Sequence, residues 1–223
     1  MGDINKIAVL YGGSSSEREI SIQSGEGVYN AIIELGFVAD LIDINDLEDL
    51  GELRVFDFIF IALHGFEGEG GKLQKDLDDL NILYSGSSSK CCKNTWNKKL
   101  TKEILEQNNI NTPIWSEVNK LPSYDSPNAK LSDSFFDKFR PFEAIFLKPQ
   151  EDGSSIDIFK ITNENNNKNA IQACLNPNRA FIYEEYINGK EFTVTIIDNT
   201  CLPPIEIISN NEFYDYDAKY HSD

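Results

Sequence analysis

Residues 6–21 read KIAVLYGGSSSEREIS, and this stretch decides the class of fold. Its first part is almost entirely apolar, as in a strand buried inside a parallel sheet. Two glycines end that strand, and the apolar spacing after them predicts a helix from Ile20 to Leu35, closed by Gly36. A second apolar run from Val38 to Ile42 completes a strand, helix and strand unit, so the sequence predicts an α/β protein.

The same alternation continues beyond this unit. A third strand is predicted from Phe58 to Leu63, a helix from Lys72 to Leu80 and a short strand from Ile82 to Tyr84. We therefore expect an N-terminal, Rossmann-like domain with a parallel sheet over residues 1–95.

The pattern then changes. A helix from Trp96 to Gln107 and a turn-rich stretch at Pro122–Pro127 are predicted next. One further helix follows an Asn-rich segment, and the strands around it are predicted at Ala144–Lys148, Asp157–Ile161, Ala180–Tyr186 and Phe192–Ile197. This order predicts an α+β second domain.

Composition excludes several classes of partner. The 223 residues include 37 Asp and Glu against 20 Lys and Arg, a formal net charge of −17. Nucleic-acid phosphates require clustered basic residues, so we expect no nucleic-acid partner. The 4 cysteines have no CxxC spacing, and no apolar run reaches the length of a membrane span. We expect reduced thiols, no membrane partner and a cytoplasmic protein.

Three stretches have the chemistry of a binding site, and each has a structural alternative. Gly12 to Glu17 opens a helix, where free N–H groups favour a carboxylate or phosphate, but an ordinary tight turn has the same sequence. The GxGxxG spacing and the P-loop lysine are absent. His64 follows a predicted strand at the edge where open sheets bind ligands, although a structural histidine is the alternative. Lys148 precedes the small-residue loop Asp152–Ser155. This loop suits phosphate binding, and a surface hairpin is the structural alternative.

Read together, five blocks of the sequence occur in a distinctive order. They are Gly12-Gly13 with Ser16 to Ser21; Ala62-Leu63-His64-Gly65 with Gly68-Glu69 and Leu73-Gln74; Tyr84 to Ser87; Lys148-Pro149 with Gly153-Ser154-Ser155; and Glu191 to Val194 with Leu202-Pro203 and Phe213 to Tyr220. This order resembles bacterial D-alanine:D-alanine ligases of the ATP-grasp superfamily. The resemblance implies an incomplete α+β ATP-grasp domain, with a central subdomain over 96–183 and the start of a C-terminal subdomain over 184–223.

The resemblance also implies a mechanism for peptidoglycan precursor synthesis. ATP phosphorylates the carboxylate of one D-alanine, and the amine of a second attacks the acyl phosphate. Glu17 would hold the ammonium of the first D-alanine, in a network with Ser154 and Tyr220, and His64 would lie beside that substrate. Tyr220 favours the dipeptide as product, because related D-alanine:D-lactate ligases often lack tyrosine there.

For the nucleotide, the resemblance implies three roles. The residues at the phosphates would be Lys98, Lys148, Ser155 and Lys219. Glu184 would lie at the adenine and Glu191 at the ribose. The family also implies Mg²⁺ and a homodimer through the N-terminal domain, but no residue of this chain matches a metal ligand of the family.

Some positions depart from the family pattern. Gly70 and Asn97 stand where aspartate is usual, and Asp157 stands where glycine is usual. Because Asp157 adds a negative charge near the loop expected to cover ATP, we expect weaker phosphate contacts there.

The sequence ends at Asp223, before the family's magnesium ligands and the groups that stabilise its tetrahedral intermediate. We therefore expect this polypeptide to be nearly inactive. We also expect Phe192–Ile197 and Ile205–Ile208 to lack sheet partners and to leave an apolar edge prone to aggregation or proteolysis. The alternatives are a non-catalytic nucleotide- or substrate-binding relative and another ATP-grasp carboxylate–amine ligase.

Overall fold

The computed structural model describes residues 4–118, 143–162, 168–174, 176, 178–197 and 199–208. The chain divides into two compact units, Met1–Thr101 and Lys102–Asp223. The division into domains predicted at residues 95 and 183 stays a prediction. The predicted turn at Pro122–Pro127 and the candidate residues Lys219 and Tyr220 lie outside the described residues.

The first unit contains the predicted parallel sheet, with its strands in the order β2–β1–β3. β1 (Lys6–Tyr11), β2 (Val38–Asp43) and β3 (Phe58–Ile61) are the apolar runs of the sequence, and β1 lies between the other two. The strand predicted from Ile82 to Tyr84 is reduced to a single parallel bridge between Ile59 and Tyr84. Apolar side chains of these strands form the buried core of the unit.

Helix α1 (Arg18–Glu34) connects β1 to β2, and Gly36 follows its end with a φ of +85°. The predicted closure by Gly36 is confirmed, because its N–H donates to the Ile33 carbonyl at 2.9 Å. Gly25 lets the helix approach the sheet, since a Cβ there would lie 2.6 Å from the Cβ of Tyr11.

The remaining helices of this part of the chain are α2 (Phe66–Glu69), α3 (Lys72–Asp79), α4 (Ser89–Trp96) and α5 (Lys98–Gln107). The helix predicted from Trp96 to Gln107 is thus split. Asn97 has an extended ψ of 109°, and its side chain accepts a hydrogen bond from the Leu100 N–H at 3.0 Å. Asn97 therefore caps α5, as an aspartate would. None of the described helices has both the length and the apolar character that crossing a membrane requires.

The second unit is built on an antiparallel sheet with its strands in the order β4–β7–β5–β6. Its elements are β4 (Trp115–Glu117), β5 (Ala144–Pro149), β6 (Phe159–Thr162), α6 (Lys168–Cys174) and β7 (Phe181–Glu185). The strands lie close to their predicted positions, and their inward apolar side chains form a second core.

Two short hairpins follow this sheet. β8 (Glu191–Thr193) pairs with β11 (Ile205–Ile207), and β9 (Ile196–Ile197) pairs with β10 (Thr200–Cys201). The prediction that these segments lack sheet partners is therefore wrong, because the chain turns back and the segments pair with each other. Their apolar side chains are nevertheless exposed, as at Ile208, which is 84% exposed. Aggregation or proteolysis of this region stays a prediction.

Candidate active site

The turn after β1 needs glycine and is held by a buried serine. Gly12 and Gly13 have φ angles of +80° and +76°, and a Cβ on Gly12 would lie 2.5 Å from the carboxyl carbon of Asp43. Because of both features, a residue larger than glycine at position 12 would strain the turn. Ser21 on α1 accepts a hydrogen bond from the Gly12 N–H at 2.9 Å and donates one to the Ala62 carbonyl at 2.8 Å. Ser21 therefore joins the turn to the end of β3.

An ion pair fixes the same turn from its other side. Asp43 ends β2, its side chain is 8% exposed, and its Oδ2 lies 2.5 Å from Nη2 of Arg18. Arg18 and the Asn45 amide both donate to the Gly13 carbonyl, at 2.7 Å and 2.9 Å. Burial alone would raise the pKa of Asp43, but hydrogen bonds from Arg18, Asn45 and Gly13 outweigh it and lower that pKa. The turn is therefore rigidly placed.

Sequence reasoning missed Asp43 and Asn45. The available signal was an acid at the carboxyl end of a parallel strand, the same edge at which the glycine turn lies. A second carboxylate at this turn, that of Glu67, accepts hydrogen bonds from the N–H and hydroxyl of Ser14 at 2.7 Å and 2.6 Å. The donors at Gly13 and Ser14 are thus bonded to side chains of this unit, and an external anion at the turn stays a prediction.

The structure brings Glu17 and His64 to the same edge of the sheet. Glu17 is 5% exposed, and a Cβ on Gly65 would lie 3.1 Å from its Oε2. The Glu17 carboxylate therefore lies against the backbone that directly follows His64. The His64 ring is held by a 3.0 Å contact between its Nε2 and the Ser24 hydroxyl. Two residues selected from separate sequence motifs are thus neighbours in space.

Another carboxylate, that of Glu69, lies close to Glu17. Glu69 accepts a hydrogen bond from the Gly65 N–H at 3.1 Å. Burial raises the pKa of Glu69, the hydrogen bond from Gly65 opposes that rise, and the charge of Glu17 raises the pKa further. Because the charge of Glu17 disfavours the ionised form of Glu69, a cation such as an ammonium bound beside them would favour that form.

In the second unit, two lysines converge on one buried glutamate. Glu184 lies on β7 opposite Phe146 of β5 and is 7% exposed. Its Oε2 lies 2.5 Å from Nζ of Lys102, and its Oε1 is paired with Nζ of Lys148. Lys102 also donates to the Thr112 hydroxyl at 2.9 Å. With two ammonium groups around one carboxylate, the cluster has a net positive charge that suits an anionic ligand.

The electrostatics of this cluster keep Glu184 ionised. Burial alone would raise the pKa of Glu184, but the charge of Lys148 and the hydrogen bonds from Lys102 and Lys148 outweigh burial and lower that pKa. Sequence reasoning missed Lys102. Its position four residues after Lys98, on one face of α5, was the only signal, and that spacing is equally typical of a solvated helix face.

The loop between β5 and β6 contains the candidate residues Ser154 and Ser155, with φ angles of +50° and +59°. Asp157 has a φ of +52°, which explains why glycine suits this position in the family and why β6 begins later than predicted. The Asp157 carboxylate is paired with Arg179. Its negative charge, expected to weaken phosphate contacts, is thus compensated within the chain.

The other candidate residues lie at the ends of elements. Lys98 is the first residue of α5, in the first unit, and Glu191 is the exposed first residue of β8. At Gly70 a Cβ would lie 2.6 Å from the Phe66 carbonyl oxygen, so the aspartate usual in the family would not fit this local backbone without a shift.

Within the described ranges, no group of three or more His, Cys, Asp or Glu side chains is placed to hold a metal ion. Of the buried carboxylates described above, Glu184 is bonded to lysines and Asp43 to Arg18. Because Mg²⁺ needs carboxylate or other oxygen ligands of its own, these residues do not fit it.

Comparison with known proteins agrees with this architecture. A family model described as D-ala D-ala ligase C-terminus matches residues 104–223. The D-alanine–D-alanine ligase B of Clostridium perfringens is 34% identical over 216 residues, covering 96% of this chain and 68% of the relative. The D-alanine–D-alanine ligase of Haemophilus ducreyi is 36% identical over 225 residues, covering 98% of this chain and 70% of the relative.

A solved structure shows the same fold. The D-alanine–D-alanine ligase from Bacillus anthracis complexed with ATP matches with a TM-score of 0.77 and 29% identity, covering 94% of this chain and 68% of that chain. The parallel-sheet unit followed by the antiparallel sheet is therefore that of an ATP-dependent ligase of the ATP-grasp class. The chain belongs to the D-alanine–D-alanine ligase family.

Proposed function

We propose that the protein joins two D-alanines into D-alanyl-D-alanine for peptidoglycan precursor synthesis, with conversion of ATP to ADP and phosphate through an acyl phosphate. The observation that supports this most strongly is the buried Glu17 carboxylate, which lies with His64 and Glu69 around Gly65. Two neighbouring carboxylates of this kind suit the ammonium of an amino acid. The relatives described above, which match nearly the whole chain, are named as D-alanine–D-alanine ligases.

On the substrate side, Glu17 holds the ammonium of the first D-alanine by a charge-assisted hydrogen bond, worth about 1.5–3 kcal/mol. The network of Arg18 and Asp43 fixes the turn before Glu17, so the carboxylate is in place before the substrate binds. The proposal assigns the hydroxyl groups of Ser154 and Tyr220 to the same substrate, with the role of excluding water from the acyl phosphate.

On the nucleotide side, the groups that bind phosphate are Lys98, Lys148, Ser155 and Lys219. Glu184 accepts a hydrogen bond from the adenine, and Glu191 accepts from the ribose. Lys148 is paired with Glu184, and this pair holds the lysine at the proposed phosphate site.

The proposal includes a cytoplasmic location, without membrane or nucleic-acid partners, and a homodimer through the first unit. Exposed apolar side chains on that unit support the dimer, among them Leu35, Val38 and Val55, which are 75%, 60% and 67% exposed.

The test of the substrate assignment is binding of D-alanine to the 223-residue polypeptide, measured by titration calorimetry in the presence of ATP. D-alanine should bind more tightly than L-alanine, because the relatives described above are named as D-alanine–D-alanine ligases. Glu17→Gln should raise the Kd for D-alanine at least roughly tenfold, since it removes the charged partner of the ammonium. Glu19 is an exposed acid in the same helical turn, so Glu19→Gln is the matched control and should leave the Kd for D-alanine unchanged.

Equal binding of the two alanine enantiomers, or equal effects of Glu17→Gln and Glu19→Gln, would contradict the assignment. Phosphate release measured in the same samples with ATP and Mg²⁺ tests the expectation of inactivity. Release at an ordinary enzymatic rate would show that expectation to be wrong and would support the ligase reaction directly.

A further inference from the structure

The loop that joins β5 to β6 has an unusual backbone for its sequence. Ser154, Ser155 and Asp157 all have φ angles between +50° and +59°. Residues with a Cβ rarely adopt such angles, and several of them close together persist only where surrounding contacts hold them. The contacts at the two ends of this loop therefore decide its shape.

One arginine contacts both ends. Nη2 of Arg179 lies 2.6 Å from Oδ2 of Asp152, and Nη1 of the same guanidinium is paired with Oδ2 of Asp157. The planar fork of a guanidinium can satisfy two carboxylates at once, whereas a lysine ammonium offers only a point charge. The loop is thus tied at Asp152 and at Asp157 by a single side chain.

Arg179 is itself anchored to the sheet. It lies two residues before β7, and the Gln150 N–H donates to the carbonyl of the intervening Ala180 at 2.8 Å. Its guanidinium carbon lies 5.5 Å from the ring centre of Phe181, and Phe181 is 3% exposed. A cation over a buried aromatic face is held in a narrow range of positions. The loop is therefore fastened to the strand that also contains Glu184.

The same contacts with Arg179 also neutralise part of the negative charge of the loop. Asp152 and Asp157 are two carboxylates on a loop that, under the proposed function, lies over the phosphates of ATP. Uncompensated, both would repel a triphosphate. Arg179 lies between them and contacts both, so it cancels part of this repulsion while it fixes the backbone of the two serines.

We propose that Arg179 is a positioning residue for ATP binding: it holds the Asp152–Asp157 loop in its phosphate-binding shape and compensates the carboxylates at the ends of that loop. Asp157 and Arg179 act as a pair, in which the arginine is needed because an acid occupies a position that suits glycine. The inference rests on the proposed binding of ATP by this loop.

The test is a double-mutant cycle with two ligands, ATP and adenosine, titrated into the 223-residue polypeptide. Arg179→Gln should raise the Kd for ATP roughly tenfold and change the Kd for adenosine less than about twofold, because only ATP has phosphates for the loop to contact. Asp157→Gly alone should leave the Kd for ATP within about threefold, and Asp157→Gly in the Arg179→Gln background should recover most of the lost affinity. Arg54→Gln, an exposed arginine of the first unit, is the matched control.

A merely structural role for Arg179 predicts equal weakening of ATP and adenosine, and that result would overturn the inference. An unchanged Kd for ATP in Arg179→Gln would overturn it as well. If Arg179→Gln does not fold, Arg179→Lys replaces it and should weaken ATP more than adenosine, because an ammonium cannot bridge both carboxylates. A folded, unmodified chain that binds neither ligand would instead overturn the proposed function, and the inference with it.

Discussion

Replacing Glu184 by glutamine is expected to lower the free energy of unfolding of the second unit by about 3 kcal/mol. The side chain of Lys102, 9% exposed, would keep its charge and lose its carboxylate partner. An uncompensated buried charge costs more than the intact pair contributes. The side chain of Lys148 is 22% exposed and can reach water. The expected loss of stability therefore lies at the lower end of the range usual for a buried ion pair that loses one partner.

Urea unfolding followed by the fluorescence of Trp115 measures this change, because Trp115 on β4 lies opposite Glu184 in the sheet. The chain's other tryptophan, Trp96, lies in the first unit, so the experiment uses a Trp96→Phe background. That change also removes an indole N–H that is buried without a hydrogen-bond partner among the described residues. Glu185→Gln, on the same strand, is the matched control and should cost less than about 0.5 kcal/mol.

Two further measurements distinguish the effect of the ion pair from an effect of local packing. Lys102→Met in the Glu184→Gln background should recover part of the lost stability, because it removes the unpaired charge. The lowered pKa of Glu184 makes its contribution present above the unfolded-state pKa of about 4.3 and lost as the pH falls through the folded-state value. Glu184→Gln should therefore flatten the stability profile in acid. Equal urea midpoints for Glu184→Gln and Glu185→Gln would show that the pair does not stabilise the unit.

Lys148→Met is expected to raise the Kd for ATP by roughly 30- to 100-fold, equivalent to about 2–3 kcal/mol. Methionine keeps much of the apolar stem and removes the ammonium, so the loss reports on charge and hydrogen bonding. Glu184 stays paired with Lys102 in this variant, so the adenine side of the site is retained. The Kd for adenosine should therefore change less than about threefold.

The matched control for this prediction is Lys160→Met. Lys160 lies on the neighbouring strand β6, opposite Phe146, with its ammonium 4.1 Å from the ring centre of Tyr186. The same substitution there should leave the Kd for ATP within about twofold. If Lys160→Met and Lys148→Met weaken ATP equally, the effect comes from net charge and Lys148 has no specific contact with phosphate.

The strands and their order along the chain could be predicted because buried runs such as Lys6–Tyr11 are nearly continuous in apolar residues. The interruption at Asn97 could not, since a helix pattern runs through it and only the side-chain cap shows the break. The hairpin pairing of Phe192–Ile197 was also missed, because antiparallel partners depend on how the chain turns back and not on local periodicity.

The candidate site shows the same division. Glu17, His64 and Lys148 were identified in the sequence through motifs and Glu184 through the family resemblance, but their spatial partners were not. The pairing of Lys148 with Glu184 depends on the register between β5 and β7, which lie far apart in the sequence. Lys102 and Arg179 were not identified, because a lysine or arginine in an ordinary helix or turn is usually solvated, and only burial and contacts distinguish these two.

The claim that this chain binds ATP through the second unit is tested most directly by amide hydrogen exchange of the 223-residue polypeptide with and without ATP. The account predicts slower exchange with ATP in residues 144–157 and 181–185, which contain Lys148, the loop tied by Arg179, and Glu184. A folded polypeptide whose exchange in these two segments is unchanged at saturating ATP would contradict it.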